Sequence, residues 1–209
     1  MRFKWVDRLL PAFAAMIVAA ALLSAEHPSR AETPEHSSLA GQLLVASPSM
    51  RDPRFDHAVI LMVRHDQSGA MGIVINMPVE KRPLANILKM LGADDTDVKG
   101  SVQIFSGGPV QPATGFVVHS SDYRGPGTID VDKNVRVTAT IQILRDIGNN
   151  KGPKKSIVAF GYAGWAAGQL ENELQHGVWF VIPGDPKLIF DEPRDKVWNM
   201  AYARRTEDL

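Results

Sequence analysis

Residues 156–183, SIVAFGYAGWAAGQLENELQHGVWFVIP, form the stretch whose reading decides the fold. Residues 156–160 are a short apolar run that stops at Gly161, the pattern of a strand buried on both faces. From Ala163 the spacing turns helical: Ala163, Ala166, Ala167, Leu170 and Leu174 share one face, and Gln169, Glu171, Glu173 and Gln175 fall largely off it. Gly177 ends that helix, and residues 178–182 restart an apolar strand before Pro183. A strand, helix and strand this close together predict a right-handed parallel crossover at the centre of an α/β domain. On that reading Gly161, Gly164 and Gly168 mark a strand-to-helix junction whose free backbone N–H groups could hold an anion. The spacing is not the G-x-G-x-x-G of a dinucleotide site, and no Lys-Ser/Thr follows as in a P-loop. Ala163 stands where a nucleophile elbow needs serine. The competing reading is structural, with glycines that let helix and sheet pack closely.

Working outward, residues 42–46 predict a first strand, and Pro48 and Pro53 keep the segment after it out of helix or central strand. The apolar runs 58–63 and 72–75, joined by residues 65–69, predict a hairpin. Asn76, Met77 and Pro78 end its second strand. Pro83 opens a short amphipathic helix through Leu84, Ile87, Leu88 and Leu91, closed by Gly92. Past a charged loop at 94–99 come strands at 102–106 and 115–119, separated by Gly107, Gly108 and Pro109. Short strands are expected within 129–137, and a helix from an N-cap at Thr138 through Ile147 to Gly148. Residues 188–190 suggest a last strand, and Pro193 a final helix through Val197, Trp198 and Ala201.

The chain has 209 residues, 23 Lys/Arg against 23 Asp/Glu, and no cysteine. One domain of roughly 150–180 residues is the expectation at this length. Balanced charge leaves no electrostatic footprint for nucleic acid. The lack of cysteine removes disulfides, thiolate catalysis and thiolate metal sites. At the N-terminus, Arg2, Lys4 and Arg8 precede an uncharged apolar run over 9–25, and Ser29, Arg30 and Ala31 offer a small-x-Ala cleavage site. Residues 1–31 therefore read as a signal peptide, or as an uncleaved anchor, and 32–38 as a polar leader to a domain over 39–209. Cleavage after Ala31 leaves 19 Lys/Arg against 21 Asp/Glu, a net charge of −2. The location this predicts is exported and periplasmic; membrane anchoring, or a cytoplasmic protein with a misplaced start, is the alternative.

Several separated stretches in order, LVASPSMRDPRFDHAVILMVRH, GAMGIVINMP, GGPV with GFVVHS, and GYAGWAAGQLENEL, resemble the YqgE/AlgH family of bacterial proteins. The resemblance runs from about Leu43 to Tyr202. It implies an α/β fold in a single compact domain, a mixed β-sheet with flanking helices in YqgE/AlgH-like topology. Members often carry the label of transcriptional regulator, and the resemblance brings no settled reaction with it. Two departures bear on function. The export signal runs against an intracellular regulatory role, and Arg64 precedes His65 where the family usually has glutamate.

Three function classes follow. The favoured one is a non-enzymatic binding or regulatory protein with a groove near Gly161, Gly164, Trp165, Gln169 and Glu171 and near Gly107, Gly108 and Pro109, open to a protein or a small anionic ligand. The second is a hydrolase using His65 or His119 with Glu171 as acid–base groups. Asn76, at the end of the hairpin's second strand, is a further polar candidate. The third is DNA-binding regulation, which the charge balance disfavours. No compact His-rich spacing marks a metal site, and no cofactor fingerprint is present, so none of either is assigned. Trp165 and Trp179 read as core or interface aromatics, with no surrounding Lys/Arg to make a base-stacking surface.

Overall fold

The computed structural model describes residues 38–93 and 98–205. The expected signal segment over 1–31, the leader short of Ser38, and part of the 94–99 loop lie outside the described residues. Among the described residues, no helix is long and apolar enough to cross a membrane.

Ten strands form one branched, mostly antiparallel sheet. They are β1 (Leu43–Ala46), β2 (Val59–Asp66), β3 (Gly69–Val74), β4 (Pro78–Pro83) and β5 (Ser101–Ser106), then β6 (Val110–Ser120), β7 (Thr128–Asp130), β8 (Val135–Thr138), β9 (Ser156–Ala166) and β10 (Trp179–Ile182). The helices are α1 (Leu84–Met90), α2 (Gln142–Gly148), α3 (Gln169–Gln175), α4 (Pro186–Phe190) and α5 (Val197–Arg204). The order β10-β1-β2-β3-β9-β6-β8-β7, with β4 and β5 branching from β9, bears out the α/β class with its mixed sheet and flanking helices.

The parallel crossover expected at residues 156–183 is not what forms. β9 does not stop at Gly161 but runs on to Ala166, and the helix begins only at Gln169. Burial along 163–166 alternates, with Ala163 and Trp165 inside and Gly164 and Ala166 outside, the two-residue period of a strand. β10 pairs with β1, not with β9, and the parallel neighbour of β9 is β5, through Ile104↔Val158 and Phe105↔Ala159. One further expectation is corrected, and one strand was not foreseen. Residues 188–190 end a helix that Asp185 caps by accepting from Lys187 N–H, not a strand. Residues 78–83 form the edge strand β4, whose solvent-facing side chains hid any apolar period.

The branching explains the glycines. β5 lies on the same edge of β9 as β3, whereas β6 runs along the opposite edge, so the chain between them must cross over β9. Gly107 sits between β3 and β9, donating its N–H to Phe160 O at 2.8 Å and accepting from Val74 N–H at 2.9 Å. The crossing follows at Gly161. A Cβ on Gly107 would lie 2.3 Å from Gly161 O, one on Gly108 2.2 Å from Tyr162 C, and one on Gly161 2.2 Å from Gly108 O. Gly108 and Gly161 also hold φ of +145° and +75°. Two backbones can touch here only because neither carries a side chain.

Three apolar clusters fill the layers. Leu43, Leu61, Ile73, Val118 and Ile157 pack with α4 and α5 on one face. Leu44, Ile60, Met62, Trp165 and Trp179 pack with α3 on the other. Leu84, Ile87, Ile143 and Val158 join α1 and α2 to the β5–β9–β6 part. Each such fully buried side chain stabilises by about 1.5–3 kcal/mol relative to exposure. Trp198 of α5 donates Nε1–H to Ala46 O at 2.9 Å and stacks on Tyr202, which locks the C-terminal helix onto β1.

Candidate functional site

A groove of about 710 Å³ opens beside the second half of β9. That volume falls within the range of small-molecule and peptide pockets, roughly 300–1,000 Å³. One wall is the loop after β1, with Met50, Arg51, Asp52, Arg54 and Phe55; another is α3, with Gln169, Glu173 and His176. Pro109, Val110, Ala163, Gly164, Trp165 and Trp179 complete it. A smaller hollow of about 250 Å³ between α2 and the β6–β9 ladder is lined by Phe116, Leu144 and Phe160 and holds none of the candidate site residues.

Glu173 organises the groove. Its Oε2 accepts the indole N–H of both Trp165 and Trp179 at 2.8 Å, and its Oε1 accepts from Gln169 Nε2 at 2.9 Å. The two indoles stand edge to face, 6.1 Å apart at 80°, and Phe55 stands edge to face on Trp179 at 5.5 Å. Trp165 is on β9 and Trp179 on β10, the two ends of the row β10-β1-β2-β3-β9. For their side chains to meet, that row must curl, and the carboxylate ties its ends together. Charge-assisted bonds are about twice as strong as neutral ones, so the carboxylate holds both indoles firmly.

The sequence-named residues divide into three groups. Pro109, Gly164, Trp165 and Gln169, from two motifs more than fifty residues apart, line this one groove. Gly107, Gly108 and Gly161 form the crossing beneath it, and Gly161 stands at no helix N-terminus, contrary to the junction expected of it. The residue at the start of α3 is Gly168, with φ +74° and no side-chain cap.

The polar candidates are separated. His65 is buried and accepts Leu39 N–H at Nδ1 (3.2 Å), which leaves the proton on Nε2 to donate to Glu171 Oε1 at 2.8 Å. The pair ties the start of the domain to α3 and lies outside the groove lining. His119 is fully buried at the other end of β9, where it pairs with Ser156. The path along β9 from there to Trp165 is roughly 30 Å. His119 and Glu171 therefore do not meet, which corrects the acid–base pairing expected of them. The His119 ring donates Nδ1–H to Ser120 O and accepts at Nε2 from Thr138, both at 2.9 Å; Thr138 in turn bonds Thr128. Burial holds its pKa below the ordinary value. Asn76 closes the end of β2, accepting Val59 N–H and donating to His57 O, each at 2.8 Å. Among the described residues, no cluster of three His, Asp or Glu is placed to hold a metal.

Glu173, Arg51, Phe55 and His176 belong to the groove and were not singled out from the sequence. Glu173 had a signal: it lies four residues after Gln169 on the same helix, so the two side chains share a face. Arg51 and Phe55 had none, because the proline-bracketed loop reads only as a spacer.

A model of the AlgH-like family, DUF179, matches residues 43–209. A UPF0301 protein of Rhodospirillum rubrum is 46% identical over 166 residues, covering 79% of this chain and 86% of that one. One from Sphingopyxis alaskensis is 44% identical over 168 residues, covering 80% and 89%. Among solved structures, the AlgH protein of Pseudomonas aeruginosa superposes with a TM-score of 0.70 at 37% identity, covering 82% of this chain and 90% of that one. A Corynebacterium diphtheriae protein shares the fold at 22% identity, with a TM-score of 0.62 and coverage of 78% and 85%.

Proposed function

The chain belongs to the AlgH-like family, and from that premise we propose that it is a non-enzymatic binding or regulatory protein whose ligand or partner sits in the groove between β9, α3 and the loop after β1. One observation carries this reading: Pro109 and the Gly164–Trp165–Gln169 set, distant in sequence, converge on one concavity with an aromatic floor. The polar groups best suited to acid–base work support it too. Glu173 is engaged by three donors, and His65 and His119 are tied elsewhere. The test is ligand or partner capture with Gly164→Val and Gln169→Ala variants whose circular dichroism matches the wild type. Altered binding is expected in both, and unchanged binding in both removes the groove from the reading. The N-terminal segment supports an exported setting for this role; N-terminal sequencing of the exported fraction is expected to start near Glu32, and an intact Met1 in the membrane fraction would point to an anchor.

A further inference from the structure

We infer that the groove receives an extended acidic peptide, which adds as a strand to the free edge of β9; the inference rests on the groove being the binding site. The last residues of β9 are paired on one edge only. Gly164, Trp165 and Ala166 face Met71, Ala70 and Gly69 of β3, while on the other edge the register with β6 ends at Tyr162↔Val110. Ala166 turns its N–H to that open edge, where Gln169 Oε1 accepts it at 3.1 Å. Alternation along the strand points the N–H and C=O of Gly164 the same way. The side-chain amide of Gln169 thus fills the place of one carbonyl of a neighbouring strand, and the position beside Gly164 has no such occupant among the described residues.

Gly164 is a different glycine from those of the crossing. It is exposed and its φ is not positive. The atoms nearest a Cβ there would be Tyr162 Cε2 at 3.2 Å, Cδ2 of the same ring at 3.7 Å and Val110 Cγ2 at 3.8 Å, all side-chain atoms, so the tyrosine ring would have to give by a few tenths of an ångström. Neither conformation nor the backbone around it demands glycine. What the missing side chain does provide is clear approach for a second backbone. Strand addition of this kind takes its affinity from main-chain bonds and its selectivity from alternate side chains, for which Met50 and Phe55 offer apolar contacts.

Charge sets the class of peptide. Both carboxylates of the groove already have partners: Asp52 is ion-paired with Arg54, and Glu173 keeps its charge but accepts from two indoles and Gln169. Arg51 is exposed and has no ion-pair or hydrogen-bond partner among the described residues. Exposed His176 uses Nδ1 on Asn172 O and leaves Nε2 available. Formal charge in the lining balances, Arg51 and Arg54 against Asp52 and Glu173, but Glu173 is half-buried behind its three donors whereas Arg51 is the exposed cation without a partner, so a carboxylate of an incoming acidic segment finds its counter-charge there.

Random heptapeptides displayed on phage are panned on the purified protein, and the enriched sequences are synthesised with a fluorophore for anisotropy. Enrichment of acidic sequences is expected. Methylating alternate backbone nitrogens should weaken binding about tenfold in one register and hardly in the other, as a one-edge ladder requires. Gly164→Val should weaken it by a similar factor, whereas Gln169→Ala, which frees Ala166 N–H, should tighten it several-fold. Amide exchange at Gly164 should slow by about tenfold in the complex. Strand addition is overturned by basic or absent enrichment, or by indifference to N-methylation. It is also overturned if the Gly164 amide is already protected without peptide: independently of concentration, the leader over 32–37 is the occupant; rising with concentration, a second copy is. A parallel screen of small aromatic acids by amide chemical shift separates the two readings. If such probes shift Gly164 and Trp165 while no peptide does, the groove stands and strand addition falls. If neither does, both fall.

Discussion

Removing the Glu173 carboxylate should open the curl of the sheet. In Glu173→Leu the indole N–H groups of Trp165 and Trp179 lose their shared acceptor, and those residues are only 8% and 3% exposed. A buried donor left without a partner costs about 1–3 kcal/mol, so two cost about 2–6 kcal/mol. Glu173 itself is half-buried, so water can reach one of the two sites and the expected loss sits at the lower end, about 2–3 kcal/mol. Glu173→Gln should cost less but not nothing. Its carbonyl can accept both indoles, yet its NH2 then faces the NH2 of Gln169. Gln169 cannot flip to relieve this without withdrawing its oxygen from Ala166 N–H. About 1 kcal/mol is expected from that single frustrated contact.

The assay is urea unfolding followed by tryptophan fluorescence. With a slope near 2 kcal/mol/M, the leucine variant should move the midpoint down by about 1–1.5 M and the glutamine variant by about 0.5 M. Trp165→Phe then completes a double-mutant cycle: it should be costly in the wild type and nearly silent in the leucine background, with a coupling of about 1 kcal/mol or more. A leucine variant that unfolds with the wild-type midpoint, or a cycle without coupling, would refute the view that this carboxylate clasps β9 to β10.

The crossing separates two glycines with the same backbone angle. Gly161 and Gly168 have φ of +75° and +74°, but a Cβ on Gly161 strikes Gly108 O at 2.2 Å whereas one on Gly168 meets nothing within 4 Å. Gly168→Ala should therefore cost only the left-handed conformation, about 1–2 kcal/mol, and Gly161→Ala should cost well beyond it or abolish folding, as read by thermal melts. For His119, burial lowers the folded pKa below 6.5, so the unfolded chain takes up the proton first as pH falls. The stability linked to it is whole above pH 6.5 and declines below that value, and His119→Gln should flatten the decline of the urea midpoint between pH 6.5 and 5. For Tyr123, desolvation and its hydrogen bond to Asp146 at 2.6 Å push the pKa up from 10.0 to about 12. Here the sign reverses: stability present below pH 10 is lost as pH rises from 10 to about 12, and ultraviolet titration of Tyr123→Phe should lack the last phenol to ionise.

Period and punctuation made most elements legible. The hairpin of β2 and β3, helix α1 from Leu84, and strand β5 all stand where apolar runs meet glycine or proline. The misreading at residues 163–166 has a physical source. Alanine and glycine are too small to show which side of a strand is inside, so Ala163, Ala166, Ala167 and Leu170 matched a helical stripe while the decisive alternation, Ala163 and Trp165 in, Gly164 and Ala166 out, rested on one large side chain. The two glycine motifs were visible as motifs, but their meaning was relational. Gly108 needs to be glycine because Tyr162 lies beneath it, and Gly161 because Gly108 lies above it, a contact between chain positions more than fifty residues apart. The acid–base candidates divide on similar ground: His65 and His119 resemble each other in sequence, each at a strand end, but only His65 reaches Glu171, at 2.8 Å, and His119 lies towards the other end of β9. One consequence follows for the groove. The constraint that forces Gly107, Gly108 and Gly161 to be glycine is fully met by the crossing, so those positions carry no information about a ligand. Gly164 is under no such constraint, and that leaves it as the glycine of the motif whose identity a binding partner would explain.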